Sequence, residues 1–266
     1  MENKLTLGVL ITTMNNGIKR VKKELLPQLK DVDEVIISHQ ITDENISPEK
    51  ENLGENIKYV FMREKGLSKN RNNALKYATA DICYICDDDL DFIEGFEKII
   101  KNSYADIEAD IITFQAQTPD GKKHFPIKEG KHSKSSILRI WSWGITFKRE
   151  VIQKNNIIFD EEFGLGARYP VGEENIFLTD CYKKGLKMFH CEKSIVIHKE
   201  ESSGIDYKNR EDLIIARIKL WKRVWGVFGG MLAIPYFTIF HYKYYKKYFS
   251  IWHFFSLSFK SLINEK

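Results

Sequence analysis

Four short apolar, β-branched runs occupy the first third of this chain, at residues 5–13, 34–38, 57–62 and 81–86. Runs this apolar read as strands buried on both faces. Between them, residues 18–29 and 68–79 carry apolar residues at helical spacing, and Ser68 stands where a helix N-cap would. Residues 42–56 form a polar loop. Strands alternating with helices at this interval predict an α/β fold, a mixed, mostly parallel sheet flanked by helices. In such sheets ligands bind at the carboxyl ends of the strands.

The pattern continues with a helix from about 92 to 103, a strand at 110–117, a strand at 144–147 and a helix at 148–155. A long loop with Gly164, Gly166, Pro170 and Gly172 then leads to a helix at 175–185 and a short strand at 194–197. At 266 residues, 43% hydrophobic and 29% charged, the chain suits one large core or a core with an appendage. A net charge of +4 is too small to point to nucleic acid. Cys83 and Cys86 fall in a strand, where residues three apart face opposite sides. A zinc knuckle or redox pair is therefore disfavoured, and buried thiols of a reducing compartment are expected. The first residues lack a long apolar region and a small-residue cleavage site, so a cytoplasmic chain is expected.

One strand ends in Asp87, Asp88 and Asp89. Unpaired buried charge is costly and adjacent like charges repel, so something cationic should offset them. A divalent ion with oxygen ligands is the simplest candidate; an acidic turn is the plain alternative. Residues i and i+2 can face one side, which pairs Asp87 with Asp89 as ligands and leaves Asp88 either pointing away or making a supporting contact. A second group runs from Arg63 to Ala74, where Gly66 opens a helix bearing Lys69, Asn70 and Arg71. Helix N-termini attract anions and arginine grips phosphate as a fork; a merely solvated helix is the alternative. In a third group Gly172 leads to Glu173 and Glu174. They either complement the helix dipole or place a carboxylate to deprotonate an attacking hydroxyl. His198, after the last strand, is either structural or a third ligand to an Mn²⁺-type ion.

In this order, the strand 7–12, the segment Gly66-Leu67-Ser68-Lys69-Asn70-Arg71-Asn72, the Asp87-Asp88-Asp89 cluster, and Phe159-Asp160-Glu161-Glu162-Phe163-Gly164 leading to Gly172-Glu173-Glu174 resemble the family-2 glycosyltransferases of the GT-A fold. The resemblance spans roughly residues 5–200. It implies a nucleotide-sugar-binding half, about 1–92, fused to an acceptor-binding half, about 93–204, with residues 205–266 as an extension. It implies that Asp87 and Asp89 form a DxD pair, with Asp87 near the ribose or metal and Asp89 on Mn²⁺ or Mg²⁺, and that His198 completes the metal site. Arg71 and its neighbours Gly66, Lys69 and Asn70 would support the nucleotide and the aspartate loop. Glu174, or Glu173 beside it, falls where the family usually has the aspartate of a Glu-Asp pair, the catalytic base. Thr12, at the end of the first strand, joins the expected substrate contacts. So do His39 and Gln40, where many members carry base-contacting aspartates. Trp141 and Trp143 lie between the halves, to stack on a sugar or to fill the core.

The activity implied is inverting transfer of a sugar from a nucleotide sugar, typically UDP-linked, to an acceptor hydroxyl. A nucleotidyltransferase is a second reading, but it needs a basic glycine-rich loop where this chain has Thr12-Thr13-Met14-Asn15-Asn16-Gly17. A non-catalytic nucleotide-sugar binder is a third, and the presence of both acidic clusters argues against it. Residues 224–240 carry no charge and lie between Lys219, Lys222, Arg223 and Lys243, Lys246, Lys247; residues 249–259 are again aromatic and apolar. Seventeen residues fall short of the ~20 of a spanning helix. An aromatic and basic helical extension resting on the inner face of the cell membrane is expected instead. Packing on the domain and a true span are the alternatives. A glycan or lipid-linked acceptor, as in bacterial surface polysaccharide synthesis, follows as an expectation.

Overall fold

Leu7–Met14 form the central strand, β1, with seven of its eight residues buried. A strand hidden on both sides needs cover on both, and the alternation of its side chains shows where the cover lies. Leu7, Val9 and Ile11 face one apolar layer and Leu10 the other. The computed structural model describes residues 5–50, 52–123, 127–198, 207–208 and 210–264. Residues 1–4, which open the segment read for a leader, the run 199–203 after His198, and the boundary drawn at 204/205 lie outside the described residues.

The first half is a parallel sheet of β1, β2 (Glu34–Gln40), β3 (Ile57–Met62) and β4 (Ile82–Asp87), in spatial order β3-β2-β1-β4. Beyond β4 follow β8 (Ile145–Lys148), β6 (Ile111–Gln117), β9 (Met188–Ile197) and β5 (Asp91–Phe92), with the two-residue β7 (Gly130–Lys131) beside β9. The long ladders are all parallel. The antiparallel ones, β4–β8, β6–β8, β5–β9 and β7–β9, pair only two or three residues each.

One face is covered by the helical segment after β1 and by α3 (Phe96–Asp106), through Ile18, Val21, Leu25, Phe96 and Ile100. The other is covered by α2 (Leu67–Tyr77), α4 (Arg149–Lys154) and α5 (Glu173–Lys183), through Ala74, Leu75, Ile152, Phe177 and Leu178. Each Val, Leu, Ile or Phe among them contributes roughly 1.5–3 kcal/mol of burial. Cys83 and Cys86 point into opposite layers as free thiols, and burial pushes both above the ordinary thiol range.

Two expectations need correction. The helix read over 18–29 is an α-helical turn, α1 (Gly17–Arg20), then a π-type turn at Val21–Leu25 and a 3-10 turn at Leu26–Gln28. Pro27 lacks the N–H a regular helix needs, yet Ile18, Val21, Leu25 and Leu29 still reach the core. The last strand begins at Met188 rather than near 194, and its register against β6 is irregular around Gln115 and Ser194, which broke the alternation.

The C-terminal part is three helices, α6 (Glu211–Phe240), α7 (Tyr242–Tyr245) and α8 (Ile251–Ile263). The first half of α6 is docked on the domain: Ala216, Leu220 and Val224 pack with Phe163, Tyr169 and Ile176. Arg223 pairs with Asp160 at 2.9 Å and Asp180 at 2.8 Å.

Gly144, in the turn that enters β8, allows a close backbone approach to β6. A Cβ there would stand 2.5 Å from the Phe114 carbonyl oxygen on β6, which has no room to yield. Gly144→Ala is expected to lower unfolding free energy by about 1–3 kcal/mol. Urea denaturation measures it, and an unchanged midpoint would remove the packing argument.

Candidate functional site

Four consecutive side chains of α2 organise the carboxyl end of the sheet. Asn70 donates to the Thr13 carbonyl at 3.1 Å, holding the end of β1. Asn72 clasps Phe159, donating to its carbonyl at 2.9 Å and accepting its N–H at 2.8 Å. Asn73 donates to Ser38 Oγ at 2.8 Å, fixing β2. Between them Arg71, with 2% of its side chain exposed, donates from Nη2 to Asp87 Oδ1 at 2.9 Å and from Nη1 to Glu173 Oε1 at 2.8 Å. A strand end, a distant loop and a helix start thus meet on one short helix.

The electrostatics follow. Burial alone would depress the Arg71 pKa, but Asp87, Glu173 and Glu174 surround the guanidinium with negative charge and hold it raised. Burial likewise opposes ionisation of Asp87, yet Arg71 and a 2.8 Å bond from Ser142 Oγ bring its pKa below the ordinary 3.8. Glu174 also feels the attraction of Arg71, but there it does not prevail. Burial first, and then the charge of Glu173, push its carboxyl well above the usual glutamate range. One carboxylate in an ion pair beside a second of raised proton affinity is a natural acid–base arrangement.

A cavity of about 360 Å³ opens beside this cluster, lined by Thr12, Gln40, Asn70, Asp87, Asp88, Asp89, Trp141, Trp143 and His198, together with Thr13, Met14, Leu67, Ser142 and Leu165. Nine residues singled out from sequence thus share one wall. Arg71, Glu173 and Glu174 are not in the lining and connect with it through Asp87. Asp88 accepts from Thr13 Oγ1; its pKa is raised, by burial first and by the two neighbouring aspartates. Thr12 Oγ1 and Asn70 Oδ1 are buried without a hydrogen-bond partner among the described residues. Buried polar atoms left so at a cavity wall suit a polar ligand.

The aspartates fit a small divalent ion in one specific way. Mg²⁺ and Mn²⁺ take one or two carboxylates and leave other positions to water and phosphate, and Asp87 with the exposed Asp89 line one cavity. Among the described residues no three His, Cys, Asp or Glu side chains converge on one point. Asp87, Asp89 and His198 nonetheless line the same cavity, and His198 helps to keep Asp87 ionised. The His198 ring also lies against the Trp143 indole, with centroids 6.4 Å apart.

Other expected contacts also move. His39 is fully buried, with Nδ1 2.7 Å from the Tyr59 hydroxyl and Nε2 2.7 Å from the Asn15 carbonyl, so it has no ring nitrogen to offer a nucleobase. Gln40 lines the cavity while its Oε1 accepts the Gly66 N–H at 2.8 Å. That bond, with the Leu67 N–H given to the Leu165 carbonyl, engages the Gly66 and Leu67 N–H groups at the start of α2. Lys69 turns to Glu64 at 2.7 Å, away from the cavity. Thr13 and Ser142, which hold the aspartates, were not singled out from sequence. A hydroxyl a residue or two from a strand end carries no spacing signal of its own.

Against known proteins, the family profile described as glycosyl transferase family 2 matches residues 9–170. Comparison with curated protein sequences gives no match. Among solved structures, S. aureus TarS 1–349 is similar at 14% identity with a TM-score of 0.66, over 97% of this chain and 81% of that one. The same protein in complex with UDP-GlcNAc is similar at 13% identity with a TM-score of 0.66, over the same shares. Its complex with UDP is similar at 15% identity with a TM-score of 0.61, over 92% of this chain and 74% of that one.

The two shifted carboxyls predict opposite effects on stability. Asp87 ionises more readily folded than unfolded, so its contribution is complete above its ordinary 3.8 and is lost as pH falls through the lowered value. Asp87→Asn is expected to flatten the acid limb of the stability profile. Glu174 holds its proton more tightly when folded, so above its ordinary 4.5 it costs stability. Glu174→Gln is expected to raise the urea midpoint at neutral pH. A lowered midpoint would mean that Glu174 is a structural partner.

Proposed function

The chain belongs to glycosyl transferase family 2 and has the GT-A fold, and we propose that it moves a sugar from a nucleoside diphosphate sugar to an acceptor hydroxyl with inversion at the anomeric carbon. The observation that carries this reading is the buried Arg71 joining Asp87, on the cavity wall, to the carboxyl pair Glu173–Glu174. A UDP-linked donor is favoured by the UDP and UDP-GlcNAc complexes of the similar TarS fold. In this reading residues 1–92 serve the donor and 93–204 the acceptor.

The donor lies in the cavity, its polar groups meeting Thr12 Oγ1, Asn70 Oδ1 and the Gln40 amide, with Trp141 and Trp143 as the apolar wall. Asp87 and Asp89 would hold Mg²⁺ or Mn²⁺, which when bound neutralises charge on the departing diphosphate. Glu173 stays committed to Arg71. Glu174, partly accessible and of raised proton affinity, takes the proton of the acceptor hydroxyl as oxygen attacks the face opposite the leaving group. The acceptor is a glycan or lipid-linked glycan of bacterial surface polysaccharide synthesis, met at the inner face of the cell membrane, where the C-terminal helices attach.

A panel of nucleotide sugars, assayed for binding and hydrolysis with Mn²⁺, with Mg²⁺ and with chelator, tests this. Asp89→Ala is expected to lose metal-dependent donor binding. Glu174→Gln is expected to keep binding and lose about 10²–10⁴-fold in turnover. The acid limb of the wild-type kcat/KM profile is expected above the ordinary glutamate value of 4.5, with activity rising as Glu174 deprotonates. Failure of every nucleotide sugar to bind, with or without metal, would overturn the reading.

A further inference from the structure

Taken whole, α6 is long and apolar enough to cross a bilayer. Its geometry argues against crossing. At Gly226 the backbone leaves helical space (φ 74, ψ −167), dividing α6 into two helices. The first carries the charges and is docked on the domain. The second, residues 227–240, is free of charge and at 1.5 Å per residue extends about 21 Å. The hydrocarbon core of a bilayer is about 30 Å thick.

This second part is two-faced. Gly230, Ala233, Ile234 and Phe237 turn inward, most of them against α8 and its neighbours. Phe228 (80% exposed), Leu232 (65%), Ile239 and Phe240 turn outward, and α8 adds Trp252 (78%) and Phe259. Soluble monomers rarely expose so continuous an apolar surface. After Glu211, which pairs with His253 on α8, and Asp212, the charge of the hairpin is basic. From Leu213 to Asn264 there are eight Lys or Arg and no Asp or Glu. Lys243, Lys246 and Lys247 are exposed in the α6–α8 connection, among Tyr242, Tyr244 and Tyr248. Exposed apolar side chains edged by tyrosine, tryptophan and lysine match the boundary layer of an anionic membrane.

We propose that the outer face of the α6–α8 hairpin inserts into one leaflet of an anionic bilayer as a monotopic anchor and does not cross it. This deepens the membrane attachment in the functional reading above and gives it residues, depth and charge. It has a consequence for the site. Arg223, just before the kink, is paired to Asp180 on α5, and Leu220 abuts Gly172 at the N-cap of α5, whose first residues are Glu173 and Glu174. The anchor is therefore fixed to the helix that carries the carboxyl pair, which gives that pair a set height above the lipid.

Flotation of the full chain with preformed vesicles tests this, comparing phosphatidylglycerol–phosphatidylcholine mixtures with pure phosphatidylcholine. The wild type is expected to float with anionic vesicles and to be released by salt. Phe228→Glu with Leu232→Glu is expected to lose binding by at least tenfold. Lys243→Gln, Lys246→Gln and Lys247→Gln together are expected to lose at least tenfold on anionic vesicles. Lys247→Cys is expected to react with an impermeant thiol reagent added outside the vesicles. Donor hydrolysis, measured without vesicles on each variant, reports folding and is expected to be unchanged. No flotation of the wild type, or equal flotation of the glutamate variant, would overturn the proposal. So would protection of Lys247→Cys, which means a span, or a dimer that the glutamate variant dissociates without vesicle binding, which means a second copy covers the face. Flotation without any donor hydrolysis would leave the anchor standing and count against glycosyl transfer.

Discussion

A single buried guanidinium holds the site together. Arg71 touches the strand end that carries the aspartates and the helix start that carries the glutamates, 16 and 102 residues away in the chain. Buried ion pairs are weak contributors to net stability, because desolvation costs nearly as much as attraction returns, and well-packed apolar residues often serve as well. What the arrangement adds is position. It keeps the half-buried Asp87 ionised and engages Glu173, and beside them Glu174 has a raised proton affinity.

The layers of the fold were legible because strand burial leaves a plain mark. The four runs of the first half are strands, in the order a doubly covered parallel sheet requires, and the aspartates stand at the carboxyl end of one of them. The cavity was legible in outline, since Thr12, Gln40, Asn70, the three aspartates, both tryptophans and His198 all meet there. The functions within the basic helix were legible only in part. The resemblance had Arg71 supporting the aspartate loop, and it does bond Asp87, but its second partner, Glu173, and the turn of Lys69 to Glu64 carried no signal. Spacing along a helix does not reveal a partner a hundred residues on. His39 failed for a related reason: a polar residue at a strand end reads as exposed, and only the third dimension brings Tyr59 and the Asn15 carbonyl to its two nitrogens.

The C-terminal helices extend the same logic to the boundary of the molecule. Charge count and length marked residues 224–240 as borderline for a span, and the break at Gly226 shortens the uncharged helix further. The ion pairs of Arg223 and the packing of Leu220 make the hairpin part of the wall behind α5 rather than a loose tail. Whatever orients the hairpin also orients the glutamate pair, because Arg223 and Leu220 tie the two together.

The most direct test of the account is a stability and activity comparison across three forms: Arg71→Met, Asp87→Asn with Glu173→Gln, and all three changes together. If Arg71 is chiefly the counter-charge of two buried carboxylates, Arg71→Met alone should cost about 3–5 kcal/mol. Neutralising both carboxylates in the same chain should then restore most of that stability without restoring turnover. Strict additivity of the three changes in urea unfolding would contradict the account, because it would mean that the guanidinium and the carboxylates do not depend on one another.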